Sequence, residues 1–176
     1  MQDAPSRPYH HGDLRRAVIE TALDMLREEK GWQFTLREVA RRAGVSHAAP
    51  YKHFSDKAAL LAEIAMIGFD RLRESLSAAK SEAPKTLRDE ITPIARAYVA
   101  FGTDNPALYR LMFSAEEGKA VGMPIEGQAA AGWGLIHGMT MLAIDGLLVP
   151  EKVGSAPLDA ALSTLLEGLG NPAPQQ

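Results

Sequence analysis

A cluster of basic and polar side chains between Trp32 and Leu60 has the composition of a surface that binds phosphate. Lysine and arginine outnumber aspartate and glutamate there by five to two, although the whole chain of 176 residues carries a formal net charge of −3. The cationic residues are Arg37, Arg41, Arg42, Lys52 and Lys57, with His47 and His53 among them. A small contact with phosphate oxygens requires a local cationic excess of this kind. An ordinary solvated face has the same composition, so charge alone leaves both interpretations open.

Two short helical segments are predicted to position these side chains. Thr35 and Glu38 form the T-x-x-E pattern of a capping box, and apolar residues then recur at helical spacing on one face. Gly44 stands where a helix C-terminus needs a left-handed residue, and Ser46 is placed to cap a second helix over residues 46–53. Two short helices joined by a three-residue turn predict a helix-turn-helix, whose second helix enters the major groove of DNA.

The second predicted helix carries hydrogen-bond donors next to small residues. Ala48 permits close approach to a groove wall, while Tyr51 and Lys52 supply donors for phosphate oxygens and base edges. Pro50 falls at the fourth helical position, where its missing N–H removes the first backbone hydrogen bond, so packing has to hold this helix. The alternative interpretation, two core helices of a generic bundle, predicts fewer cations and a longer second helix.

Helical periodicity continues along the rest of the chain, without a β-hairpin signal or a glycine-rich nucleotide loop. We therefore predict an all-α protein with an N-terminal three-helix helix-turn-helix module and a C-terminal helical domain for ligand binding and dimerisation. Asp13 and Ser55 are expected to cap helices, and the last two long helices are expected over residues 126–148 and 157–169. The predicted units are a flexible arm (1–12), the helix-turn-helix module (13–56), a connecting helix (57–80), the C-terminal domain (84–170) and a disordered tail (171–176).

The composition excludes several classes of protein. Apolar residues make up 46% and charged residues 23%, which is enough for a core and excludes a disordered or collagen-like chain. The absence of cysteine excludes disulfides, thiolate nucleophiles and Cys-ligated zinc. The N-terminus lacks the apolar stretch of a signal peptide, and the most apolar run, residues 134–149, falls short of a membrane span. We expect a cytoplasmic protein with no membrane association, no cofactor and no bound metal.

Aromatic and methionine side chains of the C-terminal half could line an apolar cavity for a small molecule. His137 is the best candidate for a polar contact with such a ligand, because a buried imidazole needs a hydrogen-bond partner. Core packing is the competing explanation for every one of these residues. The candidates are Tyr98, Phe101, Tyr109, Met112, Phe113, Trp133, His137 and Met141.

The predicted helix over residues 126–148 is apolar nearly all round, so it has to be covered on both sides. Gly134 and Gly138, four residues apart, would let another helix come close. In so small a domain a second subunit is the natural cover, and the leucine-rich last helix adds a second surface. We expect a homodimer formed by the two C-terminal helices, as a four-helix bundle across a two-fold axis.

The stretch FTLREVARRAGVSHAAPYKHFSDKAALL resembles the DNA-binding region of the TetR family of transcriptional regulators. The resemblance rests on a G-V-S turn, an aromatic-x-H-F segment and a lysine ahead of paired leucines, and it extends over residues 12–72. It implies a homodimer that reads a palindromic operator in double-stranded DNA, usually as a repressor released by a small apolar ligand. The W-x3-H-G stretch from Trp133 to Gly138 resembles a subtype of ligand domain found in some of these regulators.

The resemblance also implies which residues contact DNA. Ser46–His53 matches the recognition helix, in which Pro50 stands where the family usually has Leu or Ile. Tyr51, His53 and Lys57 match positions of frequent DNA contact, and Thr35 and Arg37 match common phosphate contacts. The predicted DNA-binding residues are Thr35, Arg37, Ser46, His47, Ala48, Tyr51, Lys52, His53 and Lys57.

Two other functions stay open at this stage. A small helical enzyme would use His137 with Asp145, Glu116 or Glu117, but no nucleophile stands near a base at a readable spacing, so we expect no enzyme. An architectural DNA-binding dimer would use the C-terminal half for dimerisation only. The ligand, the operator, the regulated genes and the sign of regulation do not follow from the sequence.

Overall fold

The computed structural model describes residues 11–28, 31–114 and 127–170, and all regular structure in these ranges is helical. The prediction of an all-α chain is confirmed. The predicted arm up to residue 10, the loop containing Glu116 and Glu117, and the tail beyond residue 170 lie outside the described residues. The elements are α1 (His11–Glu28), α2 (Leu36–Arg42), a 3₁₀ helix (Pro50–Lys52), α3 (Lys57–Ala78), α4 (Leu87–Asp104), α5 (Pro106–Met112), α6 (Gly127–Ile144), α7 (Pro150–Val153) and α8 (Pro157–Gly170).

The capping box predicted at the start of α2 is present. The Thr35 hydroxyl accepts the backbone N–H of Glu38 at 3.2 Å, and the Glu38 carboxylate accepts the backbone N–H of Thr35 at 2.6 Å. The same reciprocal pair forms between Thr86 and Asp89 at the start of α4. Each box satisfies two backbone donors that a helix start otherwise leaves without partners.

The predicted caps Asp13 and Ser55 are wrong. α1 begins at His11, so Asp13 lies inside the helix instead of at its N-cap position. The N-cap of α3 is Asp56 and not Ser55, because the Asp56 carboxylate accepts the backbone N–H of Ala59 at 2.8 Å. A carboxylate also carries the negative charge that the positive end of the helix dipole favours.

The predicted second helix of the helix-turn-helix, residues 46–53, is shorter than expected. Residues 47–49 form a turn, and only Pro50–Lys52 is helical, as a 3₁₀ helix whose N-cap is Ala49 and not Ser46. The cause is Pro50, whose ring nitrogen has no hydrogen to donate to the Ser46 carbonyl. That carbonyl accepts the N–H of Ala49 at 2.9 Å instead, a tighter turn than an α-helix makes.

The C-terminal helices also differ from the predicted bounds. α6 ends at Ile144, four residues early, because Gly146 adopts a left-handed conformation with φ 69° and terminates the helix. The short helix α7 was not predicted, and Pro150 occupies its first position. Pro93 lies inside α4.

The helices share one hydrophobic core. α1 packs against α2, α3 and α5, and α3 in turn packs against α4 and α5. α6 packs mainly on α4, and α8 lies against both. Two glycines allow the closest approaches, because a Cβ at Gly68 would lie 2.6 Å from Sδ of Met112, and a Cβ at Gly102 would lie 2.2 Å from Cγ2 of Thr140. Backbone-to-side-chain packing at these points therefore sets the spacing of α3 from α5 and of α4 from α6.

Candidate functional site

Seven of the nine predicted DNA-binding residues are exposed, and they lie at the start of α2 or in the turn and 3₁₀ helix that follow it. Tyr51 is the most informative of them, because 51% of a large aromatic residue faces solvent. Such exposure of an aromatic side chain with a polar tip is typical of contact surfaces. The exposed residues are Thr35, Arg37, Ser46, His47, Ala48, Tyr51 and Lys52.

The turn is held from beneath by buried apolar side chains. Ala49, Pro50 and Phe54 are buried, whereas the intervening Tyr51 and Lys52 face outward. Gly44 makes the entry to the turn possible, because its φ of 69° is a conformation that L side chains rarely adopt. Packing thus fixes the direction of Tyr51 and Lys52 although the helix itself is only three residues long.

His53 and Lys57 are less exposed than the other predicted DNA-binding residues. His53 is half-buried, and its Nε2 atom is buried without a hydrogen-bond partner in the described part of the chain. The Lys57 ammonium lies 5.7 Å from the centre of the Phe34 ring, a cation–π contact that holds it at the start of α3. Lys57 can still reach a phosphate from this position, whereas the His53 ring faces the protein.

The acidic residues next to this surface are engaged by local hydrogen bonds. The backbone N–H of Thr35 holds the pKa of Glu38 below its ordinary value, and the Arg42 guanidinium does the same for Glu28 at 2.5 Å. Both carboxylates stay ionised but are satisfied by donors of the protein. The cations Arg37, Lys52 and Lys57 of this surface can therefore meet phosphate oxygens or base edges.

A second cluster of predicted residues lies between α4, α5 and α6. The imidazole of His137 lies nearly parallel to the rings of Tyr109 and Trp133, with interplanar angles of 26° and 21° and centroid distances of 5.4 and 4.9 Å, and Phe113 contacts it edge-on at 4.6 Å. Tyr109 is completely buried. We call Tyr98, Tyr109, Phe113, Trp133 and His137 the aromatic cluster.

The polar atoms of the aromatic cluster satisfy one another. The Tyr109 hydroxyl lies 2.5 Å from Nδ1 of His137 and donates to the Tyr98 hydroxyl at 3.1 Å. Nε1 of Trp133 also donates to the Tyr98 hydroxyl, at 3.3 Å. Burial raises the pKa of both tyrosines and lowers the pKa of His137. The cluster is therefore an uncharged, hydrogen-bonded group of rings at neutral pH.

The other three predicted ligand-binding residues lie in the surrounding core. Phe101 is buried in α4, Met141 packs against the core from α6, and Met112 lies against Gly68 of α3. Thr140 is a further polar residue beside the cluster, completely buried, and its hydroxyl donates to the Ile136 carbonyl at 2.7 Å. Thr140 lies three residues after His137 on the same face of α6, and this spacing is the sequence signal that points to Thr140 as a member of the site.

The lowered pKa of His137 predicts a specific dependence of stability on pH. Because the folded state favours the neutral imidazole, stability is full above the ordinary pKa of 6.5 and falls as the pH drops from there to the lower folded-state pKa. Urea denaturation at about pH 7.5 and about pH 5.5 should show this loss, and the His137→Asn variant should lose less over the same interval. His47→Asn, at an exposed position, serves as the matched control and should behave as the wild type. Equal losses in wild type and His137→Asn would contradict the prediction.

The described residues do not provide a membrane helix or a metal site. None of the helices in the described ranges combines the length and the apolarity that crossing a bilayer requires. Among the side chains that the structure describes, His, Asp and Glu do not gather in groups of three that could bind a metal ion.

The N-terminal region is similar to known regulators in sequence. A family model described as bacterial regulatory proteins, tetR family, matches residues 18–64. Over 43 residues the chain is 46% identical to an uncharacterised HTH-type transcriptional regulator of Haemophilus influenzae, a match that covers 24% of this chain and 21% of that protein. This match therefore spans about a fifth of the length of the curated relative.

Two solved structures resemble the whole chain. A protein with unknown function from Rhodococcus sp. RHA1 is 31% identical, with a TM-score of 0.72, and the alignment covers 93% of this chain and 98% of that one. A bacterial regulatory protein in the TetR family from Rhodococcus RHA1 is 19% identical, with a TM-score of 0.58 and coverage of 89% and 95%. At 19% identity, the similarity to this second structure supports only a shared fold. The shared fold includes the C-terminal helices, which lie outside the region matched by the family model.

Proposed function

We propose that this chain is a TetR-family transcription regulator and acts as a homodimeric repressor that binds a palindromic operator in double-stranded DNA. The match of residues 18–64 to the family model and the similarity to an HTH-type regulator over 43 residues support this proposal. The observation that carries this proposal is the turn after α2, where Tyr51 and Lys52 face solvent while Pro50 and Phe54 anchor the backbone from beneath. A surface that is rigidly held and yet exposed can enter a major groove. Two copies related by a two-fold axis would meet two half-sites.

The exposed residues divide into two kinds of contact in this proposal. Thr35, Arg37 and Lys57 lie at the starts of α2 and α3, where we assign them to phosphates. His47, Ala48 and Lys52 lie on the turn, where we assign them to base edges or to the thymine methyl group. The remaining predicted contacts, Ser46, Tyr51 and His53, belong to the same turn, and the half-buried His53 requires a side-chain movement to reach DNA.

We propose that α6 and α8 form the dimer interface. α6 packs on α4 with one face, while Gly134 and Leu142 are exposed on it and a Cβ at Gly134 or Gly138 would meet open space. Leu165 and Leu166 of α8 are only half-buried within one subunit. Covering these apolar residues with the same helices of a second copy gives a four-helix bundle.

We further propose that the chain is divided as the sequence predicts. Residues 13–56 form the helix-turn-helix module, residues 57–80 the connecting helix, and residues 84–170 the C-terminal domain. The packing of α3 on α1 from one unit and on α4 and α5 from the other supports its role as the connection.

The aromatic cluster is our candidate for the effector site, for a small apolar ligand that releases DNA. Its rings offer flat apolar surfaces, and the neutral imidazole of His137 offers one polar contact. A ligand that inserts between Tyr98 of α4 and the Trp133 and His137 rings of α6 has to move α6 relative to α4. If Trp133→Ala responds to every releasing compound as the wild type does, the aromatic cluster is core packing and not the effector site. If no compound releases the DNA, the chain is an architectural DNA-binding dimer.

Selection of bound duplexes from a random pool tests the main proposal. We expect the recovered sequences to share an inverted repeat, and their affinity to fall steeply with salt because phosphate contacts release counterions. The recovered duplex can then be used to screen for releasing compounds. Recovery of unrelated sequences, or of sequences without two-fold symmetry, would contradict a homodimeric operator-binding repressor.

A further inference from the structure

A cleft of about 440 Å³ lies between α1 and the turn that joins α4 to α5. Its walls are apolar side chains from three elements that are distant in sequence, and its volume lies in the range of about 300–1,000 Å³ that small-molecule sites occupy. α1 lies largely inside the region matched by the family model, whereas α4, α5 and α6 lie outside it. The cleft is thus shared between the helix-turn-helix module and the C-terminal domain. Its apolar wall consists of Leu23, Leu26, Ala107, Leu108 and Ile144.

Two arginines line the rim of this cleft. Nη1 of Arg27 contacts Asp24 at 2.9 Å, and Nη2 of Arg110 contacts Asp145. Each guanidinium thus contacts one acidic side chain through one of its nitrogens, and within the described part of the chain neither makes a further side-chain hydrogen bond. Because an arginine carries five N–H donors, both retain donors for a further acceptor. Asp104 is the one carboxylate among the described lining residues, because Asp24 and Asp145, which pair with the two arginines, do not line the cleft.

We propose that this cleft binds a small amphiphilic carboxylate. The apolar body would lie on the wall formed by α1, α5 and α6, and the carboxylate would accept hydrogen bonds from Arg27 and Arg110. Charge-assisted bonds to guanidinium are among the strongest that proteins make, and planar carboxylates fit the guanidinium fork. Burial of the apolar body supplies the remaining favourable free energy.

The location of the cleft gives its occupant a regulatory consequence. A ligand that touches α1 on one side and α5 and α6 on the other favours one relative position of the helix-turn-helix module and the C-terminal domain. It therefore changes DNA affinity if the DNA-binding state needs a different relative position. This consequence rests on the proposed function as a DNA-binding regulator, whereas binding of the carboxylate itself does not.

Isothermal titration of the full chain with octanoate tests the proposal, with octylamine and octanol as matched probes of the same apolar length. We expect octanoate to bind and both other probes to bind at least about tenfold more weakly, because only the carboxylate is drawn to the two guanidinium groups. Binding of octylamine or octanol as tight as that of octanoate would overturn the proposal, as would the absence of octanoate binding at millimolar concentration.

Paired variants separate ligand contact from a structural role of the ion pair. Arg110→Ala and Asp145→Asn both remove the contact between α5 and the end of α6, but only Asp145→Asn leaves the guanidinium in place and frees it. We expect octanoate affinity to fall about tenfold in Arg110→Ala and to stay or rise in Asp145→Asn. Asp104→Asn, which removes the opposing carboxylate, should raise it. Equal losses in Arg110→Ala and Asp145→Asn would overturn the proposal.

Two further measurements locate the site and separate its failure from that of the proposed function. Trp133→Ala should bind octanoate as the wild type does, and a loss of binding in this variant would instead place the ligand in the aromatic cluster and overturn the proposal. DNA affinity is measured on the selected duplex without octanoate. Loss of octanoate binding with intact operator binding refutes the cleft alone, whereas failure to select any operator refutes the proposed function alone.

Discussion

Lys52→Ala should weaken binding to the selected operator by about thirtyfold or more while changing the affinity for unrelated DNA much less. Lys52 faces outward on the turn after α2, where we assign it to base edges. A base contact of this kind contributes about 1–3 kcal/mol, and a two-fold symmetric dimer loses it twice, so the loss amounts to about 2–6 kcal/mol. Fluorescence anisotropy with the selected duplex and with a scrambled duplex of equal length measures both affinities.

Lys57→Ala should behave differently because its ammonium is assigned to a phosphate. Affinity should fall by a similar factor for the selected and the scrambled duplex, and the slope of log affinity against log salt should become shallower by about two per dimer. Arg73→Ala is the matched control, since Arg73 pairs with Asp70 on the surface of α3, about 24 Å along the helix from Lys57. Full operator affinity in both lysine variants would refute the DNA-binding surface, and equal losses on both duplexes in Lys52→Ala would refute its base contact.

Gly102→Ala should destabilise the protein by about 1–3 kcal/mol, although glycine to alanine inside a helix ordinarily stabilises by up to about 1 kcal/mol. The reason is the close approach of α6, since the added Cβ would lie 2.2 Å from Cγ2 of Thr140 and 3.2 Å from Cδ2 of Tyr109. Neither neighbour is the free end of a long side chain, so the helices have to separate. The displacement also reaches the aromatic cluster through Tyr109. The free energy of unfolding from urea titrations measures the effect.

Two further substitutions test whether the clash with Thr140 causes the loss of stability in Gly102→Ala. Gly132→Ala, also inside a helix but with open space beside its Cβ position, should leave stability unchanged or raise it. Adding Thr140→Ser to Gly102→Ala removes the clashing methyl group and keeps the hydroxyl that bonds to Ile136, so much of the lost stability should return. A Gly102→Ala variant at least as stable as the wild type would show that α4 and α6 are further apart.

Features governed by neighbours in sequence were predicted well. The capping box at Thr35 forms as predicted, because the groups that satisfy each other are three residues apart. Gly44 takes the left-handed conformation that its place after α2 predicts. The predicted extent of the second helix is wrong, because Pro50 cannot donate the backbone hydrogen bond that an α-helix beginning at Ser46 needs, and residues 47–49 form a turn instead.

The all-α class, the place of the helix-turn-helix and the resemblance to the TetR family could be predicted from the sequence, because periodicity, caps and motifs depend on local spacing. The tertiary structure was needed to show that the His137 imidazole packs against Tyr109 and Trp133, that His53 turns inward, and that Arg27 and Arg110 line one cleft. The residues brought together in this way lie up to 83 positions apart in the sequence, as Arg27 and Arg110 do. Periodicity predicts which face of a helix is buried, but how closely two faces approach depends on the side chains of both. Gly102 is an example, because the methyl group of Thr140 occupies the space that a side chain at position 102 would need.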